Sequence, residues 1–132
     1  MALEAKLDIG DGREYDVIDC EYEMKQPGKD NNLPAGRPGG GLVHFTILAQ
    51  DDNNMNFHQW MVDKTLKKNG SITFSAVRDA KRSTKTVAFE NAICINLNEH
   101  FDKHSEIEMV MRITLLAETL KFGSGVKLTA NQ

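Results

Sequence analysis

Hydrophobic and polar residues alternate along most of the chain, which is the pattern of β-strands with one buried face. Residues 1–9 and 15–24 each predict a strand, and the acidic residues of the second strand fall on the face opposite its apolar residues. The apolar positions that set its register are Ile18, Cys20, Tyr22 and Met24. The residues that predict two further strands are Val43, Phe45 and Ile47, and then Ile72, Phe74 and Ala76. We expect a turn at Asn69-Gly70, just before the last of these strands.

The longest alternation lies in the last third of the chain. One strand is predicted by apolar residues at odd positions, which are Val87, Phe89, Ile93, Ile95 and Leu97. A second is predicted by Ile107, Met109, Met111, Ile113, Leu115 and Ala117. We expect these two strands to pair antiparallel across the polar stretch between them, which suits a closed or sandwiched sheet better than a parallel one.

One segment has the period of a helix instead. Phe57, Trp60 and Met61 are spaced i, i+3 and i+4, with N-cap candidates at 51–54 before them and lysines at 64, 67 and 68 after them. Acids at the start and lysines at the end of a helix both suit its dipole. The sequence therefore predicts one amphipathic helix over about residues 53–68, anchored on the sheet by the only tryptophan, Trp60.

These elements predict a mainly β fold in a single domain, 1–132: a small antiparallel β-barrel or sandwich flanked by one α-helix. Residues 26–41 interrupt the pattern, because they contain all three prolines of the chain and are rich in glycine. Proline lacks a backbone donor and glycine costs backbone entropy, so this segment does not suit a continuous strand. We expect an extended loop, of a length that usually has a function.

Composition excludes several classes of protein. With 132 residues, 40% of them hydrophobic and 27% charged, the chain is long enough to fold without a disulfide or a metal. No stretch reaches the 18 or so apolar residues of a membrane span, and the charges among the first nine residues do not fit a signal peptide. Two distant cysteines, Cys20 and Cys94, are typical of reduced thiols. We expect a cytoplasmic protein that does not bind membranes.

The net charge of −3 argues against nucleic-acid binding, but it conceals a division along the chain. The first 23 residues carry a net charge of −6, and residues 64–85 carry +6. Two interpretations remain open: the segments neutralise each other within one molecule, or they form a contact between copies. The residues that we nominate for a contact between copies are Asp19, Glu21, Glu23, Arg78, Lys81 and Arg82.

No group of residues predicts catalysis, a cofactor or a metal site. His100 and His104, with Cys94 before them, lack the four convergent ligands that a zinc site needs, and a polar hairpin tip explains them better. The triple glycine at 39–41 is not followed by the lysine of a phosphate-binding loop. We therefore expect no enzyme activity and no cofactor.

The order of several motifs resembles the tube proteins of type VI secretion systems, the Hcp (TssD) family, and is closest to short forms found in Bacteroidetes. The resemblance covers nearly the whole chain. The motifs that carry it are Gly36-Arg37-Pro38-Gly39-Gly40, the aromatic helix around Trp60, Gly70-Ser71-Ile72-Thr73-Phe74, the run from Arg78 to Ala92, and then Cys94, Asn98, Glu99, His100 and Phe101.

The resemblance implies a structural protein rather than an enzyme. Members of this family form hexameric rings that stack into a hollow tube, which a contractile sheath drives out of the cell together with a spike and effectors, without a signal peptide. An extended loop between early strands reaches a neighbouring ring, and residues 26–41 are in the matching place. The loop residues that we expect to make this contact are Pro27, Lys29, Asn31, Leu33, Pro34 and Arg37.

Two alternatives remain open at this point. A tube protein of a phage tail or of an extracellular contractile particle has the same sequence features, and gene neighbourhood distinguishes it. A monomeric β-barrel that binds a small ligand is the second alternative, although it has no need of so long a loop.

Overall fold

Seven strands and one short helix make up the residues that this computed structural model describes, which are 3–24, 41–48, 55–78, 80–106, 109–123 and 126–129. In chain order the elements are β1 (Leu3–Asp8), β2 (Tyr15–Met24), β3 (Gly41–Leu48), α1 (Asn56–Val62), β4 (Lys68–Arg78), β5 (Lys81–Phe101), β6 (Met109–Phe122) and β7 (Val126–Thr129).

The strands close into an antiparallel barrel. They follow the order β3–β2–β1–β4–β5–β6, and β6 also pairs with β3, so six strands form a closed ring of ladders. Among the described strands, β7 pairs only with the last residues of β6. The fold is therefore mainly β with one helix, as the alternation of residues predicted.

The barrel interior is filled by the side chains that alternate along β3 and β6. The predicted strand residues Val43, Phe45 and Ile47 are buried. On β6 the buried residues include Met111, Ile113, Leu115 and Ala117. The predicted pairing of the two long strands is also confirmed, because β5 and β6 form an antiparallel ladder from Val87↔Phe122 to Phe101↔Met109.

The predicted register of β2 is only partly correct. A bulge between Val17 and Asp19 shifts the pairing with β3, and it leaves Ile18 44% exposed. Tyr15 is buried before the bulge, whereas Cys20 and Tyr22 pack against the core after it. The prediction of strict alternation through the whole of β2 was wrong, because the one extra residue of the bulge reverses which positions face inward.

The prediction that the odd-numbered residues of β5 face inward was also wrong in the second half of this strand. Asn91 has a positive φ of 52°, and the buried positions change there from odd to even, so Ala92 and Cys94 face inward. A second irregularity between Cys94 and Asn96 leaves Ile95 43% exposed. Two local changes of the backbone therefore bend this long strand around the core.

Asn69-Gly70 does not form the predicted turn. Both residues lie inside β4, next to a bulge in its pairing with β5. A Cβ atom at Gly70 would lie 2.4 Å from the backbone oxygen of Asp8 and 2.6 Å from the Phe89 ring. Glycine is present here because two strands approach closely, which is the other common role of glycine in a sheet.

The helix is shorter than the predicted span of 53–68. It ends at Val62, and the Asp63 carboxylate accepts hydrogen bonds from the backbone N–H (2.9 Å) and the hydroxyl (2.8 Å) of Thr65. This local side-chain bonding competes with further helical turns. The lysines therefore lie beyond the helix, with Lys68 already in β4, and the N-cap candidates at 51–54 lie outside the described residues.

Aromatic side chains fix α1 on the barrel, as predicted for Trp60. The Trp60 indole is fully buried and donates a hydrogen bond of 3.0 Å to the backbone oxygen of Ala92. The Phe57 ring packs edge-on against Tyr15 at a centroid distance of 5.0 Å. The Asp11 carboxylate also accepts a hydrogen bond of 2.8 Å from Asn56 at the start of the helix.

The Asp11 carboxylate receives a second side-chain hydrogen bond, from the Tyr15 hydroxyl. Partial burial acts to raise the pKa of this carboxyl, but the hydrogen bonds from Tyr15 and Asn56 outweigh it, so the pKa lies below its ordinary value. The turn between β1 and β2 and the start of α1 are therefore held together by an ionised group.

The close approach at Gly70 gives a stability prediction. Replacing Gly70 by alanine forces β1 or the Phe89 ring to move, and we expect a loss of about 1–3 kcal/mol in the free energy of unfolding. Chemical denaturation followed by tryptophan fluorescence measures it. Ser71→Ala, one residue along the same strand, is the control and should cost less than about 0.5 kcal/mol. A Gly70→Ala protein as stable as the control would contradict this account.

Candidate assembly interface

Four strands that are neighbours around the barrel, in the order β2–β3–β6–β5, form a sheet with two open edges. Strand β2 pairs with β1 only at Lys6↔Asp16 and Leu7↔Tyr15, so residues 17–24 have a strand neighbour on the β3 side alone. At the other edge, the ladder of β4 with β5 ends at Lys68↔Ala92, so residues 93–101 pair only with β6. Among the described residues, one side of each segment therefore has no strand partner for its backbone groups.

The directions of these four strands make the two edges complementary. Each neighbouring pair in the order β2–β3–β6–β5 is antiparallel. Strand β5 of one copy would therefore run antiparallel to β2 of another copy placed beside it. Open sheet edges of this kind are templates for pairing with a further strand.

The face of this sheet that points away from the barrel core is polar along its middle. Register partners share a face, which brings Glu21, His44, Thr114 and Asn96 side by side across the four strands. His44 Nδ1 lies 3.0 Å from the Thr114 hydroxyl, which fixes this histidine as part of the sheet surface. The acidic residues of β2 therefore lie on an exposed surface.

The nominated acidic residues have no ion pair among the described residues. Asp19 and Glu21 are exposed and Glu23 is half-buried. Other acids of the first 23 residues are used within the molecule, since Asp16 pairs with Lys6. The charge of −6 in this segment therefore divides into groups that pair within the molecule and a row on β2 that has no ion pair with any described residue.

The nominated basic residues lie at the tip of the β4–β5 hairpin. Lys81 is exposed and follows Ala80, which has a positive φ of 64°. Arg78 and Arg82 flank this tip in the strand pairing, and their side chains lie outside what the structure describes. Within the described part of the chain, Lys81 forms no ion pair with the acids of β2.

The nominated loop residues, Pro27, Lys29, Asn31, Leu33, Pro34 and Arg37, lie outside the described residues.

The open edges were missed by the reasoning from sequence. Alternation shows which face of a strand is buried, but it does not show which neighbour a strand has or where a ladder ends. The lengths of the predicted strands give no signal either, because the first (1–9) and the second (15–24) are almost equally long.

The metal and histidine candidates do not form a site in the residues that are described. No three side chains of His, Cys, Asp or Glu come together there. His58 joins α1 to β5 through Nε2, which lies 2.8 Å from Oε1 of Glu99. No helix in the described part of the chain is long and apolar enough to cross a membrane.

Comparison with known proteins gives one family. The family model "Hemolysin coregulated protein Hcp (TssD)" matches residues 1–131. No curated protein sequence matches the chain. This protein therefore belongs to the Hcp (TssD) family, the tube proteins of type VI secretion, which is a family of structural proteins and not of enzymes.

Solved structures agree with this assignment at the level of the fold. Hcp1 from Flavobacterium johnsoniae matches with a TM-score of 0.72 and 20% identity, over 96% of this chain and 98% of that one. Hcp1 from Salmonella typhimurium has a TM-score of 0.71 and 14% identity, with coverages of 98% and 93%. The secreted protein Hcp3 from Pseudomonas aeruginosa has a TM-score of 0.70 and 11% identity, with coverages of 99% and 100%.

Both cysteines are free thiols in environments that suppress their reactivity. Burial raises the pKa of Cys20 to about 11, with a further contribution from the charges of Asp19 and Glu21. Burial also raises the pKa of Cys94 to about 11. The prediction of reduced thiols from sequence is confirmed for both residues, and Cys94 is buried.

These thiols give a prediction for the folded protein. Compared with the ordinary pKa of 9.0, a pKa of about 11 lowers the thiolate fraction at pH 8 by roughly 100-fold. We expect Ellman's reagent to react at least that much more slowly with the native protein than with the unfolded one, and the native rate to rise about tenfold per pH unit between pH 7 and 10. Two thiols that react at once at pH 8 would contradict this assignment.

Proposed function

We propose that this protein is the ring-forming subunit of a type VI secretion tube. Six copies form a ring, the rings stack into a hollow tube that holds effectors, and a contractile sheath expels the tube from the cytoplasm. The observation that carries the proposal is the pair of open, oppositely placed edges on a four-stranded antiparallel sheet, in a member of the Hcp family.

The open edges explain how a ring closes. Residues 93–101 of one copy pair with residues 17–24 of the next, which continues the antiparallel alternation from copy to copy. Six copies of four strands, at a spacing of about 4.8 Å, give a cylinder roughly 37 Å across. The bulk of each barrel, with β1, β4 and α1, lies on the core side of this sheet, so the sheet itself lines the hollow.

The charged groups strengthen the same contact. Pairing of the open edges places two features at the same end of the ring, namely the end of β2 that contains Glu23 and the β4–β5 hairpin of the neighbour. Both features lie at the end of the barrel where β6 ends at Phe122. We propose that the acids Asp19, Glu21 and Glu23 attract the bases Arg78, Lys81 and Arg82 of the next copy across this end of the ring. Glu23 is the nearest of the three to the hairpin tip, because the register places Glu21 level with Asn96 and Asp19 level with Asn98 of β5. Such complementary charges favour one orientation of two copies over others.

The loop at 26–41 contributes to contacts between rings. Its prolines and Leu33 supply apolar groups, and Lys29, Asn31 and Arg37 supply polar ones. The segment leaves β2 after Met24 and rejoins the barrel at Gly41, residues that are direct register partners. The described residues that flank the segment therefore lie at one end of the barrel, and we expect this end to meet a neighbouring ring.

Solution mass and negative-stain imaging test this function. We expect a species of six chains, visible as rings with a central hole, at low ionic strength. Sedimentation equilibrium over a range of protein concentrations measures the mass. A protein that remains monomeric at high concentration and low salt would contradict the proposal.

A charge reversal tests the interface. Lys81→Glu with Arg82→Glu should raise the dissociation constant of the ring by at least tenfold, with a smaller difference at high salt because salt screens surface charges. The control is Lys64→Glu with Lys67→Glu, which changes the net charge equally at exposed positions away from the hairpin tip. Rings that form equally well from both variants at low salt would rule out the proposed charge contact.

A further inference from the structure

Exposed apolar side chains are concentrated on the two open edges. Among the described residues, eight large apolar side chains are exposed, and four of them lie within 17–24 of β2 or 93–101 of β5. These four, each between 43% and 60% exposed, are Ile18, Met24, Ile95 and Phe101. Sheet edges that stay free in solution usually bear charges or proline, so apolar groups here indicate edges that a partner covers.

The spacing of these apolar residues is the same on both edges. Six positions separate Ile18 from Met24, and six separate Ile95 from Phe101. The two edges run antiparallel when they meet, because every neighbouring pair in the four-stranded sheet is antiparallel. One register of the two edges therefore places Ile18 opposite Phe101 and, at the same time, Met24 opposite Ile95.

The same register matches the polar side chains of the two edges. It pairs each acid of β2 with a side chain that can donate a hydrogen bond, and the pairs are Asp19 with His100, Glu21 with Asn98, and Glu23 with Asn96. Within one copy, register partners already place Glu21 on the same face as Asn96. Each of the four apolar residues is next to one of these polar residues along its strand, so the apolar pairs lie on the other face of the ladder.

Other registers lose these matches. A slip of two residues in one direction places Ile18 opposite Glu99, whose carboxylate is bound by His58. A slip of two residues in the other direction places Ile18 opposite Lys103, beyond the last residue of β5. A slip by an odd number of residues would bring the acids opposite side chains of the other face. Larger slips move one open edge past the end of the other.

We infer that β2 and β5 of neighbouring copies pair in the register that joins Ile18 to Phe101 and Met24 to Ile95. The two apolar contacts lie at the two ends of the shared ladder, with the polar pairs between them. The inference rests on the proposed ring, because it concerns the contact that closes that ring. It specifies which residues of the two edges meet, which edge pairing alone leaves undefined.

This register sets the tilt of the strands around the hollow. Within one copy, Glu21 is level with Asn96, whereas between copies it meets Asn98, so each copy is displaced by two residues along the strands. Two residues span about 6.7 Å and four strands span about 19 Å, which gives a tilt of roughly 20° from the ring axis. Closing a sheet into a cylinder requires a stagger of this kind.

Disulfide formation between copies reads the register directly. Three double variants share Glu21→Cys and combine it with Asn96→Cys, Asn98→Cys or His100→Cys, all at exposed positions. In one molecule the two positions are three strands apart, about 14 Å, so a disulfide forms only between copies. We expect rings of Glu21→Cys with Asn98→Cys, oxidised by glutathione disulfide, to give covalent oligomers of up to six chains on a non-reducing gel.

The other two double variants are the matched controls. A slip of two residues places the Cα atoms of the two cysteines beyond the roughly 7 Å that a disulfide can bridge. We expect the pairs of position 21 with 96 and of position 21 with 100 to give less than about a tenth of the cross-linked product. The wild-type protein, treated in the same way, gives the background from Cys20 and Cys94.

A double-mutant cycle tests the apolar contacts without cross-linking. Ile18→Ser and Phe101→Ser should each raise the dissociation constant of the ring at least tenfold. Their combined effect should be much smaller than the product of the two, because both remove the same contact. Ile18→Ser with Ile95→Ser removes two different contacts, so these two effects should multiply. All three side chains are exposed in a single copy, so the dissociated variants should unfold like the wild type.

The outcomes separate this inference from the proposed function. Failure of the wild-type protein to form rings would overturn the proposed function. Rings in which position 21 cross-links to 96 or 100 rather than to 98, or to none of the three, would overturn the register while the ring itself stands. Effects of Ile18→Ser and Phe101→Ser that simply multiply would also overturn the register.

Discussion

The long ladder between β5 and β6 is the interaction on which the other features of this protein depend. β5 is 21 residues long, and it extends beyond β4 at one end and beyond β6 at the other. At the end where β5 extends beyond β4, it leaves the open edge at 93–101. Where it passes β6, it pairs with β4 alone and forms the basic hairpin. The surfaces proposed for assembly therefore arise from a mismatch in strand length.

The bend in β5 allows so long a strand to belong to a small barrel. The positive φ of Asn91 and the irregularity after Cys94 change which side of the strand faces inward, so that Phe89, Ala92 and Leu97 all contribute to one core. The helix is attached at this bend, through the hydrogen bond from Trp60 to Ala92. Bulges of this kind increase the local twist of a strand and help a sheet to close.

Much of the fold could be predicted from sequence because strict alternation with large side chains, as in Val43, Phe45 and Ile47, permits few structures. Two errors fell where one residue reversed the alternation, at Ile18 and Asn91, and one where a local hydrogen bond competed with the helix, at Asp63. The predicted turn at Gly70 was wrong because this glycine allows two strands to approach closely. The charged candidates were visible as runs of like charge, since charge is a property of composition. The open edges could not be predicted, because they depend on where ladders stop in three dimensions.

Amide hydrogen exchange tests the central claim, that two open sheet edges pair between copies. The protein is compared in rings and after dissociation by dilution or salt, with protection read along β2 and β5. The account predicts that amides facing the open edges, within residues 17–24 and 93–101, exchange much more slowly in rings, while the amides of β7 are unchanged. Equal exchange of both edges in rings and in dissociated protein would contradict it.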